Sequence, residues 1–184
     1  MAALKYWVWL TALPGLSNRS RLLLLERYSS PEDVYYADAE ELALTEGLTP
    51  GQAQLRSDKS LTRADRILAD CARGDIFLLT MQDAAYPARL RDIFDPPVLL
   101  YGKGSLPLFD EEAAIAVVGT RSCTPYGLRC AHRMGYELAR QGAVVVSGMA
   151  KGIDGAAMRG ALQAGGFTAA VLGGGVDVVY PAEN

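Results

Sequence analysis

The chain has little of the chemistry that metal sites and covalent catalysis use. It contains one histidine, His132, and three cysteines, Cys71, Cys123 and Cys130, which are odd in number and lack a Cys-x-x-Cys spacing. With a single imidazole to join them, these thiols do not make a usual set of metal ligands. A Ser-His or Cys-His nucleophile would have to use His132, and nothing near it resembles a known triad order. We therefore expect no metal site and no catalytic residue.

Long hydrophobic runs are also missing. No stretch reaches the roughly 18 uninterrupted apolar residues that a membrane span requires, although 50% of the 184 residues are hydrophobic, as in a globular protein with a core. The opening run from Ala2 to Leu13 lacks a basic leader followed by a small-residue cleavage site, so it reads as a first helix and not as a signal peptide. We expect a cytoplasmic protein without a membrane span.

Positive charge is scarce overall but unevenly distributed. The net charge is −3, which is unusual for a protein that binds nucleic acid. Residues 113–184 have six basic and four acidic side chains, a net charge of +2, whereas residues 1–112 have a net charge of −5. The two parts of the chain therefore differ in sign, which a whole-chain sum hides.

The first part of the chain has the periodicity of short helices. Gly- and Pro-rich breaks separate helices predicted over residues 4–13, 18–28, 38–44, 49–57 and 61–73. We expect residues 1–74 to form a small all-α domain. Its turns at 13–17 and 46–49 resemble helical-hairpin turns, whose amides are able to bind a phosphate. The acidic balance of this part favours the alternative, ordinary helix connections.

From residue 113 onward, apolar strands alternate with Ala-rich helices. Helices over 126–141 and 153–164 separate strands over 114–118, 143–147 and 167–172. Such continuous apolar strands predict a parallel sheet covered on both faces, with ligands bound beyond the carboxyl ends of the strands. Residues 75–112 contain strand-like runs at 75–80 and 98–101 on either side of two prolines, and we expect them to form a linker with edge strands.

The loop after the first of these strands has the composition of an anion site. Residues 119–127 lack the Gly-x-Gly-x-x-Gly spacing of a dinucleotide site and the Gly-Lys-Ser/Thr of a P-loop, so no nucleotide cofactor is expected. Gly119 permits close backbone approach, Thr120 supplies a hydroxyl, and Arg121 supplies a guanidinium suited to a phosphate. In the alternative interpretation, Arg121 is bound to a structural carboxylate such as Asp154.

The loops after the next two strands extend this surface. Residues 147–152 place a serine, two glycines and Lys151 at a helix N-terminus. Asp154 comes at the start of that helix, where we expect a capping or loop-ordering role and not a general base. Residues 173–175 are three glycines, which we expect to form a floor without side chains. Three strand ends thus converge on a glycine-rich, partly cationic surface.

At these residues the sequence resembles the DNA-processing protein A (DprA/Smf) family. The resemblance rests on motifs that occur in one order: Gly119–Arg121 with Thr124, Tyr126 and Gly127; Ser147–Asp154; Gly160–Leu162; Gly173–Pro181; and Tyr86–Gly104. It implies a sterile-alpha-motif-like helical domain over 1–74, a linker with edge strands over 75–112, and a Rossmann-like domain from 113 to 184. It also implies that the sheet of the family continues after Asn184.

The resemblance implies a non-enzymatic protein of natural transformation and DNA recombination. Such a protein binds and protects incoming single-stranded DNA, hands it to the RecA recombinase, and forms a homodimer through a region that this sequence does not include. Tyr126 and Met149 are expected as stacking or rim residues. The residues expected to hold the DNA phosphates are Gly119, Thr120, Arg121, Ser147, Gly148, Lys151, Gly173 and Gly174.

One departure and two alternatives accompany this expectation. Met158 stands where the family commonly has a histidine, which removes a polar group from the expected rim. A nucleotide or nucleoside-phosphate hydrolase on a related Rossmann-like fold is the alternative from the enzyme class. Those enzymes have a Pro-Gly-Gly-x-Gly-Thr turn before a catalytic glutamate, a run that this sequence lacks. The other alternative is an interaction module whose helical domain binds a protein partner.

Overall fold

The computed structural model of this chain describes residues 3–43, 45–49, 59–178 and 180–181. Within it the chain divides into two units, residues 1–103 and 104–184. The expected linker, residues 75–112, is thereby shared between the two. Each unit has its own buried apolar cluster, and each is described here by itself.

Helices dominate the first unit. Over the described residues they are α1 (Leu4–Ala12), α2 (Asn18–Tyr28), α3 (Pro31–Tyr36), α4 (Ala39–Ala43), α5 (Thr62–Arg73) and α6 (Ala88–Arg91). The helices predicted over 4–13, 18–28, 38–44 and 61–73 are confirmed as α1, α2, α4 and α5, each to within a residue. The helix predicted over 49–57 lies outside the described residues except for Thr49.

Helix α3 occupies a position where the sequence indicated only a break. Ser30 is its N-cap, and its hydroxyl oxygen accepts a hydrogen bond of 3.1 Å from the amide of Asp33. Pro31 takes the first helical position, where a proline loses no intrahelical bond. A Ser-Pro pair followed by two acidic residues is a helix start signal, although Ser and Pro also favour turns.

The first unit buries α1 on all sides, since the five consecutive residues 6–10 are all buried. Val8, Leu10 and Leu24 are completely buried there. Strands β1 (Ile76–Thr80) and β2 (Leu99–Lys103) pair antiparallel. The strands predicted near 75–80 and 98–101 are therefore confirmed, and they belong to the same unit as the helices.

The second unit has the predicted order of strands and helices. Its elements are β3 (Ala114–Ala116), α7 (Pro125–Arg140), β4 (Val144–Ser147), α8 (Ile153–Gln163) and β5 (Thr168–Ala170). The three strands are parallel in the order β3-β4-β5, with Val145 between Ile115 and Thr168. The parallel β-α-β-α-β arrangement is thus confirmed, with strands shorter than the apolar runs that predicted them.

Both helices of the second unit pack on the same face of its sheet, the face of Val145. Val144 points to the opposite face and is completely buried, and cover of that whole face stays a prediction. A Cβ on Gly135 would overlap the Ala157 carbonyl, and one on Gly160 would overlap the His132 carbonyl, so α7 and α8 touch backbone to backbone. Successive parallel strands joined by crossovers of one hand place both helices on one side. Beyond the strand ends, Val118 is 70% and Val171 69% exposed.

Candidate nucleic-acid interface

Three loops meet the carboxyl edge of the parallel sheet. They comprise residues 117–124 after β3, 148–152 after β4 and 171–178 after β5. Because the three strands are parallel and adjacent, these loops leave the same edge of the sheet. This is the edge at which the sequence places every expected phosphate-binding residue.

The carboxylate of Asp154 joins the first two loops. Its Oδ1 accepts a hydrogen bond of 3.0 Å from the Gly119 amide, and its Oδ2 accepts one of 3.1 Å from the Gly148 amide. The side chain is only 6% exposed. A carboxylate that accepts bonds from two backbone amides fixes the position of both peptide groups. We call these two hydrogen bonds the Asp154 link.

Glycines allow the two loops to touch. Gly152 has a φ of +88°, and a Cβ on it would overlap the Thr120 carbonyl oxygen. A Cβ on Gly119 would lie 2.8 Å from the Ile153 side chain. The amide of Ile153 also donates to the Thr120 carbonyl at 3.3 Å. Side chains at either glycine would push the loops apart.

Three groups that were expected to contact phosphate are hydrogen-bonded within the protein instead: the Ser147 hydroxyl and the amides of Gly119 and Gly148. Ser147 is 3% exposed, and its hydroxyl donates a hydrogen bond of 2.8 Å to the Val117 carbonyl. The amides of Gly119 and Gly148 donate to Asp154. These three groups hold β3, β4 and α8 together, so they form the base of the site and not its open surface.

Cationic side chains stand on the open surface of both loops. Arg121 and Lys151 are exposed, one on each loop. Within the part of the chain that the structure describes, the Arg121 guanidinium has no carboxylate partner. The alternative in which Arg121 is bound to Asp154 is therefore not what the structure shows, since Asp154 holds the two amides.

Thr120 and Thr124 order the backbone that leads into α7. The Thr120 hydroxyl accepts a hydrogen bond from the Ser122 amide at 3.1 Å and donates one to the Ser122 carbonyl at 3.2 Å. The Thr124 hydroxyl caps α7 by accepting from the Gly127 amide at 3.1 Å. The loop after β3 is thus stabilised by its own side chains before any ligand is present.

The third loop is more open than the other two. A Cβ on Gly173 or Gly174 would meet nothing within 4 Å, so these glycines leave space and do not relieve a close contact. A Cβ on Gly148, in the second loop, would lie 3.9 Å from the Val171 carbonyl oxygen of the third. The Asp154 link therefore assembles the first two loops, and β5 brings only the start of the third beside them.

The expected rim residues lie at different depths. Tyr126 is 70% exposed in the first turn of α7, and a hydrogen bond with the Cys130 side chain raises the pKa of its phenol. Met149 is half-buried and has a left-handed φ of +55°. Met158 is buried, so it lies below the surface that the loops present.

The close contact at Gly152 and the link from Gly119 to Asp154 were not predicted as such. The sequence indicated close backbone approach at Gly119 and a helix N-terminus at Gly152, but the partner of each lies about thirty residues away along the chain. The one available signal is the Gly-Ile-Asp order at the start of α8, with a glycine before the first turn and a carboxylate within it.

The described part of the chain shows neither a cluster of metal-ligating side chains nor a membrane-spanning helix. Its residues include no group of three His, Cys, Asp or Glu side chains placed to hold a metal ion. No helix among them is both long and apolar enough to cross a bilayer.

A parallel sheet with helices between its strands, and a glycine-rich cationic site at its carboxyl edge, define a Rossmann-like α/β protein. A sequence profile of the DNA recombination-mediator protein A family matches residues 77–184. The chain belongs to this family.

Individual relatives agree with this assignment. The DNA processing protein DprA of Bacillus subtilis (strain 168) is 38% identical over 119 residues, which are 65% of this chain and 40% of that protein. DprA of Streptococcus pneumoniae is 47% identical over 102 residues, 55% of this chain and 36% of that protein. The chain therefore spans about two fifths of the length of these relatives.

Solved structures show the same fold. The X-ray structure of DNA processing protein A from Streptococcus pneumoniae superposes with a TM-score of 0.72 at 33% identity, covering 98% of this chain and 61% of that one. A structure that addresses the single-stranded DNA binding mode of DNA processing protein A from Helicobacter pylori gives a TM-score of 0.50 at 33% identity. It covers 60% of this chain and 49% of that one.

Proposed function

We propose that this chain binds single-stranded DNA by its backbone at the loops that follow β3 and β4. The observation that carries the proposal is the Asp154 link, which holds together the two loops that bear Arg121 and Lys151. Two exposed cations on adjacent, pre-ordered loops form a site for consecutive phosphates. We call the surface formed by Thr120, Arg121 and Lys151 the strand-end site.

The residues at the carboxyl edge of the sheet have different roles in this binding. Arg121 and Lys151 contact phosphate oxygens, and Thr120 holds the backbone of the first loop beside them. Tyr126 offers an exposed ring on which a base stacks. The residues that instead shape the site or leave room for the strand are Gly119, Ser147, Gly148, Gly173, Gly174, Met149 and Asp154. Binding by backbone contacts and stacking gives little choice of sequence, which suits a protein that accepts any incoming strand.

We propose that this site binds without catalysis. Each Asp154 oxygen already accepts a hydrogen bond from a backbone amide, so the carboxylate is poorly placed to remove a proton from a ligand. A nucleotide hydrolase would release free base from nucleoside monophosphates. Chromatography after incubation of the protein with these nucleotides measures the released base. We expect no release, and release that Arg121→Ala abolishes would overturn the proposal.

The wider role follows the family. We propose that the protein acts in the cytoplasm in DNA uptake and recombination, protects incoming single strands, passes them to the RecA recombinase, and works as a homodimer. Support comes from the family match and from the relative from Helicobacter pylori, whose structure was described in terms of single-stranded DNA binding. Pull-down of RecA by the DNA-bound protein tests the partner, and failure to retain it would contradict that part.

Binding at the strand-end site is testable with oligothymidylate. We expect Arg121→Ala and Lys151→Ala each to weaken binding about tenfold in fluorescence anisotropy. Each variant should also flatten the dependence of log affinity on log salt by about 0.7, the value for one phosphate contact on a single strand. Arg140→Ala removes the same charge at the far end of α7 and is the matched control.

The outcomes separate clearly. Affinities of both loop variants equal to that of Arg140→Ala would remove the strand-end site from the proposal. A loss of affinity without a change in salt slope would mean that the substitutions altered the fold, and circular dichroism of each variant checks for that. Losses in both affinity and slope, confined to the loop variants, support the proposal.

A further inference from the structure

A second cationic surface lies in the helical layer, apart from the strand-end loops. A groove of about 320 Å³ opens between α7 and α8. Its lining residues are Leu128, Arg129, His132, Ala156 and Arg159. We call this surface the helix groove. None of its residues belongs to the strand-end site.

The groove results from how closely the two helices approach. Gly135 and Gly160 let α7 and α8 meet at backbone distance below it. At the groove itself the floor residue of α8 is the small, buried Ala156, which leaves room above it. Exposed arginines then stand on both walls, Arg129 on α7 and Arg159 on α8.

The helical layer around the groove is positively charged. Together α7 and α8 carry four arginines, and their acidic residues are Glu137 and Asp154. Asp154 is buried and holds two amides, so Glu137 is the acid that these helices expose. The groove is lined by two guanidiniums and an imidazole with no carboxylate among its lining residues. Its chemistry fits an anionic ligand.

The groove lies close to the start of both helices. Arg129 lies about 6 Å along the axis from Pro125, and Arg159 about 9 Å along the axis from Ile153, at 1.5 Å per residue. Both helices begin directly after the two loops of the strand-end site. A strand that leaves those loops therefore needs to travel only one to two helical turns to reach the groove.

We propose that the helix groove is a second contact for the same single strand, in which Arg129 and Arg159 hold a phosphodiester from opposite walls. This inference rests on the proposed function. Leu128 and Ala156 give the groove an apolar floor against which a sugar or base packs, while the guanidiniums take the phosphate. An acidic peptide would use the charges but not the floor, so single-stranded DNA is the occupant that the lining favours.

Two lengths of oligothymidylate test the inference. A short one, of about five nucleotides, fills the strand-end site alone, and a long one, of about fifteen, reaches the groove as well. We expect the double variant Arg129→Ala/Arg159→Ala to bind the long oligonucleotide about tenfold more weakly and with a salt slope flatter by about 1.4. Its affinity for the short oligonucleotide should be unchanged. A double variant with Arg133→Ala and Arg140→Ala is the matched control, because it removes two exposed α7 charges outside the groove.

Each result decides between the two sites. If the groove and control variants bind the long oligonucleotide equally, or if the groove variant loses the short one equally, the second contact is refuted. If an acidic peptide competes with the long oligonucleotide in the wild type but not in the groove variant, and length has no effect, the groove binds peptide and the inference is wrong. Arg121→Ala reports separately on the proposed function, because it should weaken both lengths.

Discussion

Replacing Asp154 with asparagine tests the structural basis of the strand-end site. Asparagine keeps one carbonyl oxygen for one amide, but it sets an NH₂ group against the other, where two donors face each other. A hydrogen bond to a charged group contributes about 1.5–3 kcal/mol net, and an amide left without its acceptor adds to the loss. We therefore expect Asp154→Asn to lower the free energy of unfolding of the second unit by about 2–4 kcal/mol. That is a large part of the 5–15 kcal/mol typical of a domain.

The two units are distinguishable in this measurement. Both tryptophans of the chain, Trp7 and Trp9, are in the first unit, so tryptophan fluorescence in urea reports that unit alone. Amide hydrogen exchange of β4 reports the second. We expect exchange in β4 to accelerate by about 30- to 1,000-fold in Asp154→Asn, following the free-energy change, while the fluorescence transition serves as an internal reference.

A matched substitution shows whether the effect comes from the link. Glu137→Gln makes the same chemical change at an exposed carboxylate of α7, and we expect it to alter stability by less than about 0.5 kcal/mol. If Asp154→Asn were no more destabilising than Glu137→Gln, the two hydrogen bonds would not hold the loops. The reasoning about the strand-end site would then fail with them.

Three further predictions concern the packing of each unit. Gly135→Ala should destabilise the second unit by about 1–3 kcal/mol in β4 hydrogen exchange, because its Cβ overlaps a carbonyl of α8. Gly173→Ala, in open space, should have no effect, and equal results for the two would contradict the packing. Arg21→Met should lower the urea midpoint seen by tryptophan fluorescence by removing hydrogen bonds of 3.2 and 2.9 Å to two carbonyls at the end of α1, at a cost of about 1–3 kcal/mol; an unchanged midpoint would refute this. The hydrogen bond between Tyr6 and Tyr36 raises the pKa of Tyr6 from 10.0 to about 12. At a pH between these values the folded protein keeps a proton that the unfolded chain loses, so the free energy of unfolding should decrease as the pH rises from 10 to 12. Tyr6→Phe should remove that fall, and a variant that retains it would place the titration elsewhere.

The fold was largely predictable because its signals are local. Continuous apolar strands and Ala-rich helices gave the order of β3 to β5 with α7 and α8. Helix α3 was missed because the same Ser-Pro pair serves a turn or a helix start, and only the hydrogen bond at Ser30 distinguishes them. The side of the sheet on which α7 and α8 pack could not be predicted, because apolar strand runs do not record it.

The site was predictable in composition but not in the partner of each group. The sequence placed glycines, hydroxyls and cations at the strand ends, and the structure has them at one edge. It did not predict that Ser147 turns inward to the Val117 carbonyl, or that Asp154 takes the amides of Gly119 and Gly148. Those partners are distant in sequence, and a hydroxyl or amide in a loop has no local feature that selects one acceptor over a phosphate.

The Asp154 link distinguishes these glycine-rich loops from a conventional phosphate-binding loop by the group that accepts hydrogen bonds from their amides. In a loop whose amides hold the phosphate, the site lacks its anion until the ligand arrives. Here a buried carboxylate takes the amides of Gly119 and Gly148, so a side chain of the protein itself holds the two loops together and the backbone offers fewer donors to a phosphate. If these loops bind a strand as proposed, the side chains of Arg121 and Lys151 supply the attraction. Binding at such a site depends on charge more than on backbone geometry, so its affinity should fall steeply as salt rises. Attraction by charge also suits a flexible strand of any sequence.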